Sequence, residues 1–208
     1  DSFRIEDSMV IPPADDPDQV EVVKGPNIKG IPEKDPMPDA LEGVVLLKVQ
    51  DNITTDHIMP AGSKILPLRS NIPAISEHTF EQVDPDFPRR AKENGGGFIV
   101  GGENYGQGSS REHAAIAPMH LGIKAVIVKS FARIHKANLV NFGILPLTFV
   151  DPDDYDNVSQ GEDLRITGTR EIAPGAELTV ENITSGRTFK VCVDVSERDV
   201  KMLLAGGL

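Results

Sequence analysis

Three short apolar runs, separated by two segments of helical pattern, dominate the middle of the chain. GFIVG (97–101), AVIVKS (125–130) and ILPLTFV (144–150) are almost continuously apolar, as strands buried on both faces must be. Between them, SREHAAIAPMHLG (110–122) and FARIHKANLVNFG (131–143) read as helices, and Gly143 suits the position just past a helix end. This order requires parallel strands joined by right-handed crossovers. The expected fold class is therefore α/β, with a parallel β-α-β-α-β core.

The flanking sequence extends that core. GVVLLKV (43–49) predicts one more buried strand. Residues 51–96 read as mostly irregular, with short helices around 70–83; so long a connection is a place to look for function. Downstream, LRITG, ELTVEN and RTFKVCVDV, with turns at PGA and TSGR, predict an added β layer. SERDVKMLLAGG predicts a last helix, opened by a Ser-x-x-Asp cap and closed by glycine. Residues 1–40, dense in Pro and Asp, block helices and central strands and read as an extended linker; residues 41–208 form the folded domain. Asp1 in place of Met suggests a piece of a longer chain. The polar, acidic start fits neither a signal nor a transit peptide. No apolar run approaches the ~18 residues of a membrane helix.

Charge narrows the partners. A net charge of −11 argues against nucleic acid. Its distribution is uneven. Residues 1–42 carry eleven acids against four bases, whereas 89–136 carry eight bases against three acids. A basic segment within an acidic protein favours a small anionic ligand. The single cysteine, Cys192, permits no internal disulfide and is expected to pack as a small apolar residue. A chain without disulfides suits a reducing compartment, and a cytoplasmic setting is expected. Five scattered histidines and one cysteine offer no metal-ligand spacing. His57, His113 and His135 read as packed, hydrogen-bonded side chains.

The stretch GGENYGQGSSREHAA (101–115) sits where a predicted strand turns into a predicted helix, at the sheet edge where ligands bind. It lacks the lysine of a phosphate-binding P-loop, the third glycine of a dinucleotide fingerprint and the Gly-x-Ser-x-Gly of a nucleophile elbow. Two readings stay open. Ser109-x-x-Glu112 matches a helix capping box. Alternatively, the glycines and Arg111 prepare a carboxylate site, since a planar guanidinium holds carboxylate bidentately.

ENYGQGSSREHAA, followed by KSFARIHKANLVNFGILPLTF and preceded by TTDHI and the PLRSNIPAIS segment, resembles the aconitase C-terminal domain. KGPNIKGIPEKDPMPD is similar to the linker before that domain, and the likeness covers roughly residues 20–180. It implies a swivelling β/β/α domain. The implied activity is a hydro-lyase interconverting citrate and isocitrate through cis-aconitate. The implied cofactor is a [4Fe-4S] cluster ligated by N-terminal domains that this chain lacks; those domains and a tricarboxylate substrate are the implied partners. By motif, Ser109 is the expected catalytic base. Ser110, Arg111 and Arg69 are expected to bind substrate carboxylates, with Thr55 and Asp56 in the surrounding hydrogen-bond shell. No metal ligand is expected in this chain. Met59-Pro60 departs from the Ser-Ala common in aconitases, and LRSNIPAIS is a variant arginine segment with a bacterial look. These departures leave open a homoaconitase or an isopropylmalate isomerase small subunit. An RNA-binding aconitase relative is a further alternative, which the net charge disfavours.

Overall fold

The computed structural model describes residues 6–208. Seven strands occur in the order β1 (Ala40–Lys48), β2 (Gly97–Gly101), β3 (Ile123–Val128), β4 (Leu145–Phe149), β5 (Asp163–Thr167), β6 (Glu177–Asn182) and β7 (Arg187–Cys192). The first four pair in parallel and in sequence. The last three continue antiparallel, β4 to β7 to β6 to β5. β5 then pairs with β1 through five residue pairs, Ala40 with Thr167 to Val44 with Asp163, closing a barrel.

Closure corrects the expected added layer: β5–β7 are the other half of the same sheet. Side-chain alternation shows why. Val45, Phe98, Val100, Ala125, Ile127, Leu145 and Leu147 join Leu164, Ile166, Leu178, Val180, Phe189 and Val191 in one core fed by all seven strands. The opposite faces of β1–β3, including Leu46, Ile99, Val126 and Val128, form a second core under the helices. Strands covered on both faces lose their alternation, and β2 is buried at every position. The outer faces of β5–β7 meet solvent, so their burial alternates, as in β6.

The helices fill the crossovers. α1 (Thr55–Ile58), α2 (Ile72–Ser76) and α3 (Phe87–Glu93) lie between β1 and β2; α4 (His113–His120) and α5 (Arg133–Asn141) follow β2 and β3; α6 (Glu197–Ala205) closes the chain. α2 falls in the expected window, whereas α1 and α3 occur in stretches read as irregular. One and two turns of helix are too short for a clear period. The last helix forms as expected, with a reciprocal capping box between Ser196 and Asp199 and a left-handed Gly206 at its end. Cys192 is only half-buried, at the edge of the core rather than inside it.

The proline-rich segment docks before β1 begins. Lys34 Nζ donates to the carbonyl of Gly143 at 2.6 Å, and the Met37 amide donates to Leu204. Burial, with Lys124 nearby, pulls the Lys34 ammonium down to about 8. Met37 is buried in the barrel core, while Met9 is fully exposed. Met37→Ala is expected to cost about 2–4 kcal/mol in urea unfolding and Met9→Ala nothing measurable. Equal effects of the two substitutions would show that the segment does not dock.

Candidate functional site

The loops that leave the carboxyl ends of β1, β2 and β3 are joined to one another by backbone hydrogen bonds. Gly106 and Gln107 donate to the carbonyl of Ile53 at 2.7 and 3.1 Å, and Thr55 donates back to Gln107 at 2.8 Å. Asp51 accepts the Glu103 amide at 2.7 Å. Asn52 and Asn104, both with positive φ, share a side-chain hydrogen bond at 3.0 Å. The third loop enters through Ser130, whose hydroxyl accepts the Asn104 amide at 2.8 Å and whose carbonyl accepts the Tyr105 amide at 3.0 Å. Tyr105 fills the space beneath, buried edge-on to Phe131 and against the His135 ring. Burial holds its hydroxyl well above the usual phenol range, so it stays protonated.

Two glycines let the 101–112 loop lie this low. At Gly106, φ is +83°, and a Cβ would fall inside the imidazole of His135. At Gly108, φ is +120°, and a Cβ would stand 3.0 Å from Thr55 Oγ1. The loop therefore rests directly on α5 and α1.

Ser109 is exposed and does not cap α4. That helix begins at His113 with Glu112 at its N-cap and no side-chain cap bond, so the capping-box reading does not hold and the expected start at residue 110 is three residues early. Arg111 therefore precedes the helix instead of lying in its first turn. Its Nη1 donates to Asp56 Oδ1 and to the Met59 carbonyl, both at 2.6 Å. One nitrogen anchors the guanidinium; among the described residues, no partner takes the remaining donors. Asp56, expected in the surrounding hydrogen-bond shell, accepts from Arg111.

Arg69 is exposed and forms no ion pair among the described residues. Its carbonyl accepts a 2.8 Å hydrogen bond from His113 Nε2, tying the Arg69 loop to α4. Arg69 and Arg111 border one cavity of about 230 Å³, with Glu112 and His113 beside them and an apolar wall that includes Met59, Pro60, Ile65 and Ile75. Ser109 and Thr55 border a separate cavity of about 210 Å³. Ser110 is exposed and lines neither. His57 acts locally. Its Nδ1 accepts the Thr54 amide while Thr54 Oγ1 accepts the His57 amide, capping α1. Arg133, His135 and Asn138, which motif reading passes over as functional groups, border the Ser109 cavity. The residue pattern FARIHKAN held the signal, an arginine at a helix start that no side chain caps.

No group of three or more His, Cys, Asp or Glu side chains among the described residues could hold a metal ion. The described residues therefore offer no ligand set for an iron-sulfur cluster of their own. No helix among them is long and apolar enough to cross a membrane.

The glycine loop, Arg69 and Arg111 stand at the carboxyl edge of parallel strands in an α/β domain, the edge where such folds place their ligand sites. Residues 68–152 match the family described as Aconitase C-terminal domain. A 3-isopropylmalate dehydratase small subunit from Archaeoglobus fulgidus is 42% identical over 161 residues, covering 77% of this chain and 88% of that protein. The crystal structure of 3-isopropylmalate dehydratase from Methanocaldococcus jannaschii matches with a TM-score of 0.67 at 34% identity, covering 81% of this chain and 90% of that one. A probable mitochondrial aconitate hydratase from Dictyostelium discoideum is 42% identical over 177 residues, 74% of this chain and 23% of that protein. The chain belongs to the aconitase C-terminal domain family, in the superfamily that holds both aconitate hydratases and these small subunits. It spans about a quarter of the aconitate hydratases it matches. Those relatives are mitochondrial proteins of eukaryotes, which overturns the expectation of a bacterial, cytoplasmic protein.

His135 supplies a stability test of this loop platform. Burial lowers its imidazole to about 4, against about 6.5 in an unfolded chain. Above pH 6.5 neither state is protonated at this site. Between 6.5 and 4 the unfolded chain takes up a proton that the folded chain refuses, so stability falls with pH, by about 3 kcal/mol in all. Chemical denaturation across this range is expected to show a steeper acid loss for the native chain than for His135→Gln. Parallel pH profiles would place His135 in solvent.

Proposed function

We propose that this domain supplies half of a hydro-lyase active site, acting on a hydroxy-polycarboxylate that a partner's iron-sulfur cluster activates. The observation that carries this reading is the pocket shared by Arg69 and Arg111 at the carboxyl edge of the sheet. Two guanidinium groups, one anchored by Asp56 and one free, suit two carboxylates of one small substrate. When bound by its own domains, the cluster supplies Lewis-acid activation of the substrate's hydroxyl and carboxylate oxygens. This chain supplies orientation and the proton acceptor. Ser109, exposed on its loop, is assigned the base that removes the proton beside a carboxylate; Ser110 is assigned a carboxylate contact. A serine alkoxide is scarcely populated near neutral pH, so its surroundings must stabilise it. Because α4 starts too late to provide that stabilisation, the Ser109 loop amides and the uncapped first turn of α5 provide the nearby donors. Thr55 and Asp56 hold the loop and the arginine in place.

Citrate and isocitrate, interconverted through cis-aconitate, are the leading substrates, as the motif resemblance and the aconitate hydratase relatives support. A second reading rests on the apolar wall. Met59, Pro60, Ile65 and Ile75 beside two arginines also suit a malate carrying an alkyl branch, the substrate type of an isopropylmalate isomerase.

The test combines this chain with cluster-bearing domains of an aconitate hydratase or a 3-isopropylmalate dehydratase. Turnover of cis-aconitate with the first supports the leading reading; turnover of 2-isopropylmalate alone with the second supports the other. In the active pair, Ser109→Ala is expected to lower kcat by orders of magnitude with substrate binding retained. Arg69→Lys and Arg111→Lys should each lower kcat/KM by about a hundredfold or more. Near-normal kinetics in all three variants would remove this loop from the chemistry.

A further inference from the structure

Arg69 and Arg111 border one pocket but are held there in different ways. Arg111 is anchored by its own guanidinium, on Asp56 and on the Met59 carbonyl. The Arg69 side chain has no ion pair among the described residues. Its place in the pocket is therefore set through its main chain.

Residues 69–71 connect the short 3-10 turn Leu66–Leu68 to α2. The bonds inside this connection are local. Arg69 donates its amide to Leu66 at 3.3 Å, and Asn71 donates to Leu68 at 2.7 Å. Such bonds fix the shape of the connection and leave its placement on the domain open. Two consecutive carbonyls settle that placement. The Arg69 carbonyl accepts from His113 Nε2 at 2.8 Å, and the Ser70 carbonyl accepts from the Lys29 amide at 2.9 Å. The first tie comes from α4 and the second from the linker.

The linker sequence explains how that tie is made. Gly25-Pro26-Asn27-Ile28 forms a turn closed by the Ile28 amide on the Gly25 carbonyl at 3.1 Å, with proline where such turns favour it. Asn27 and Ile28 then border a cavity of about 430 Å³ together with Leu66, Pro67, Arg69 and Ser70. Residues 29–34, at most about 18 Å of extended chain, lead to a second anchorage. There Lys34 is fixed on Gly143 and Met37 on Leu204. The contact is close: a Cβ on Gly206 would stand 2.6 and 2.7 Å from the carbonyl oxygens of Lys34 and Asp35. The linker is thus pinned at one end to the Arg69 connection and at the other to the last helix.

We infer that the linker is part of the substrate site: Lys29, through its main-chain amide, and His113, through its ring, are positioning residues that set the spacing of Arg69 from Arg111. This rests on the function proposed above and deepens it. Neither residue touches the substrate. Loss of either tie lets the Arg69 connection move on its local turns, and the two guanidinium groups fall out of register with two carboxylates of one small molecule. Misplacement of about 1 Å is enough to cost substantial turnover.

A double-mutant cycle in the active pair of this chain with cluster-bearing domains tests the inference. Lys29→Pro removes the amide donor. Lys24→Pro, where the amide has no main-chain partner, is the control. Lys29→Pro is expected to raise KM about tenfold, and Lys24→Pro to leave it unchanged. In an Arg69→Ala background Lys29→Pro should have no further effect, because the group it displaces is gone. His113→Leu is expected to behave as Lys29→Pro does, and it decides the matter if the proline variant does not fold. His113→Gln, whose side-chain amide still donates, should restore much of the loss. A loss from Lys29→Pro or His113→Leu that is undiminished in the Arg69→Ala background would overturn the positioning role. So would normal kinetics in both variants where Arg69→Ala itself lowers kcat/KM, and that result leaves the proposed function standing. Normal kinetics in Arg69→Ala would remove the proposed function and the positioning role together.

Discussion

The backbone hydrogen bonds between the loops after β1 and β2 are the constraint from which the site follows. Ile53 accepts from both Gly106 and Gln107, and Thr55 donates back to Gln107. These bonds join two segments some fifty residues apart in the chain at the end of a barrel. They set the height of the glycine loop above α5, and only glycine at 106 and 108 permits that height. Asp56 and Arg111 pair beside this seam, and Thr55, Ser109 and the first turn of α5 border one cavity next to it. Ser130 and Tyr105 extend it to the loop after β3. Loops joined this way are ordered by their own backbone, which under the proposed function would lower the ordering cost at binding.

The division of labour follows from composition. Side chains for a resident cluster are lacking among the described residues, while unpaired guanidinium groups gather at one edge of the sheet. Under the proposed function the domain would supply orientation and proton transfer, with the electrophilic work left to a partner. Serine is a weak base in water, and backbone donors beside it are the arrangement that would make it usable. Apolar Met59, Pro60 and Ile65 would add shape to a pocket whose proposed ligand is held by charge.

Much of this fold is legible in the sequence, for physical reasons particular to each part. GFIVG, AVIVKS and ILPLTFV announce buried parallel strands because both faces are covered and apolar residues run together. The alternation of ELTVEN shows a strand wet on one face, but not where that strand pairs. Barrel closure depends on β5 meeting β1 more than a hundred residues away, and local pattern does not encode such a register. Ser109-x-x-Glu112 misleads for the opposite reason. Its local pattern is a good cap, yet the loop is held by Ile53 and Thr55, and the helix starts later. Arg69, Arg111 and Asp56 are legible by motif; the pairing of Asp56 with Arg111 needs the fold. Arg133, His135 and Asn138 stay hidden because an arginine, a histidine and an asparagine at helical spacing look like an ordinary helix face until their neighbours are known.

The claim that the half-site is preorganised by the loop seam can be tested on the chain alone by amide hydrogen exchange. The amides of Thr55, Gly106 and Gln107 each donate across the seam. They are expected to exchange as slowly as strand amides such as those of Ile99 and Val126, since opening them requires the barrel end to come apart. Exchange at the rate of exposed residues such as Val22 and Val23 would contradict the account, leaving a loop that orders only when a partner or substrate binds.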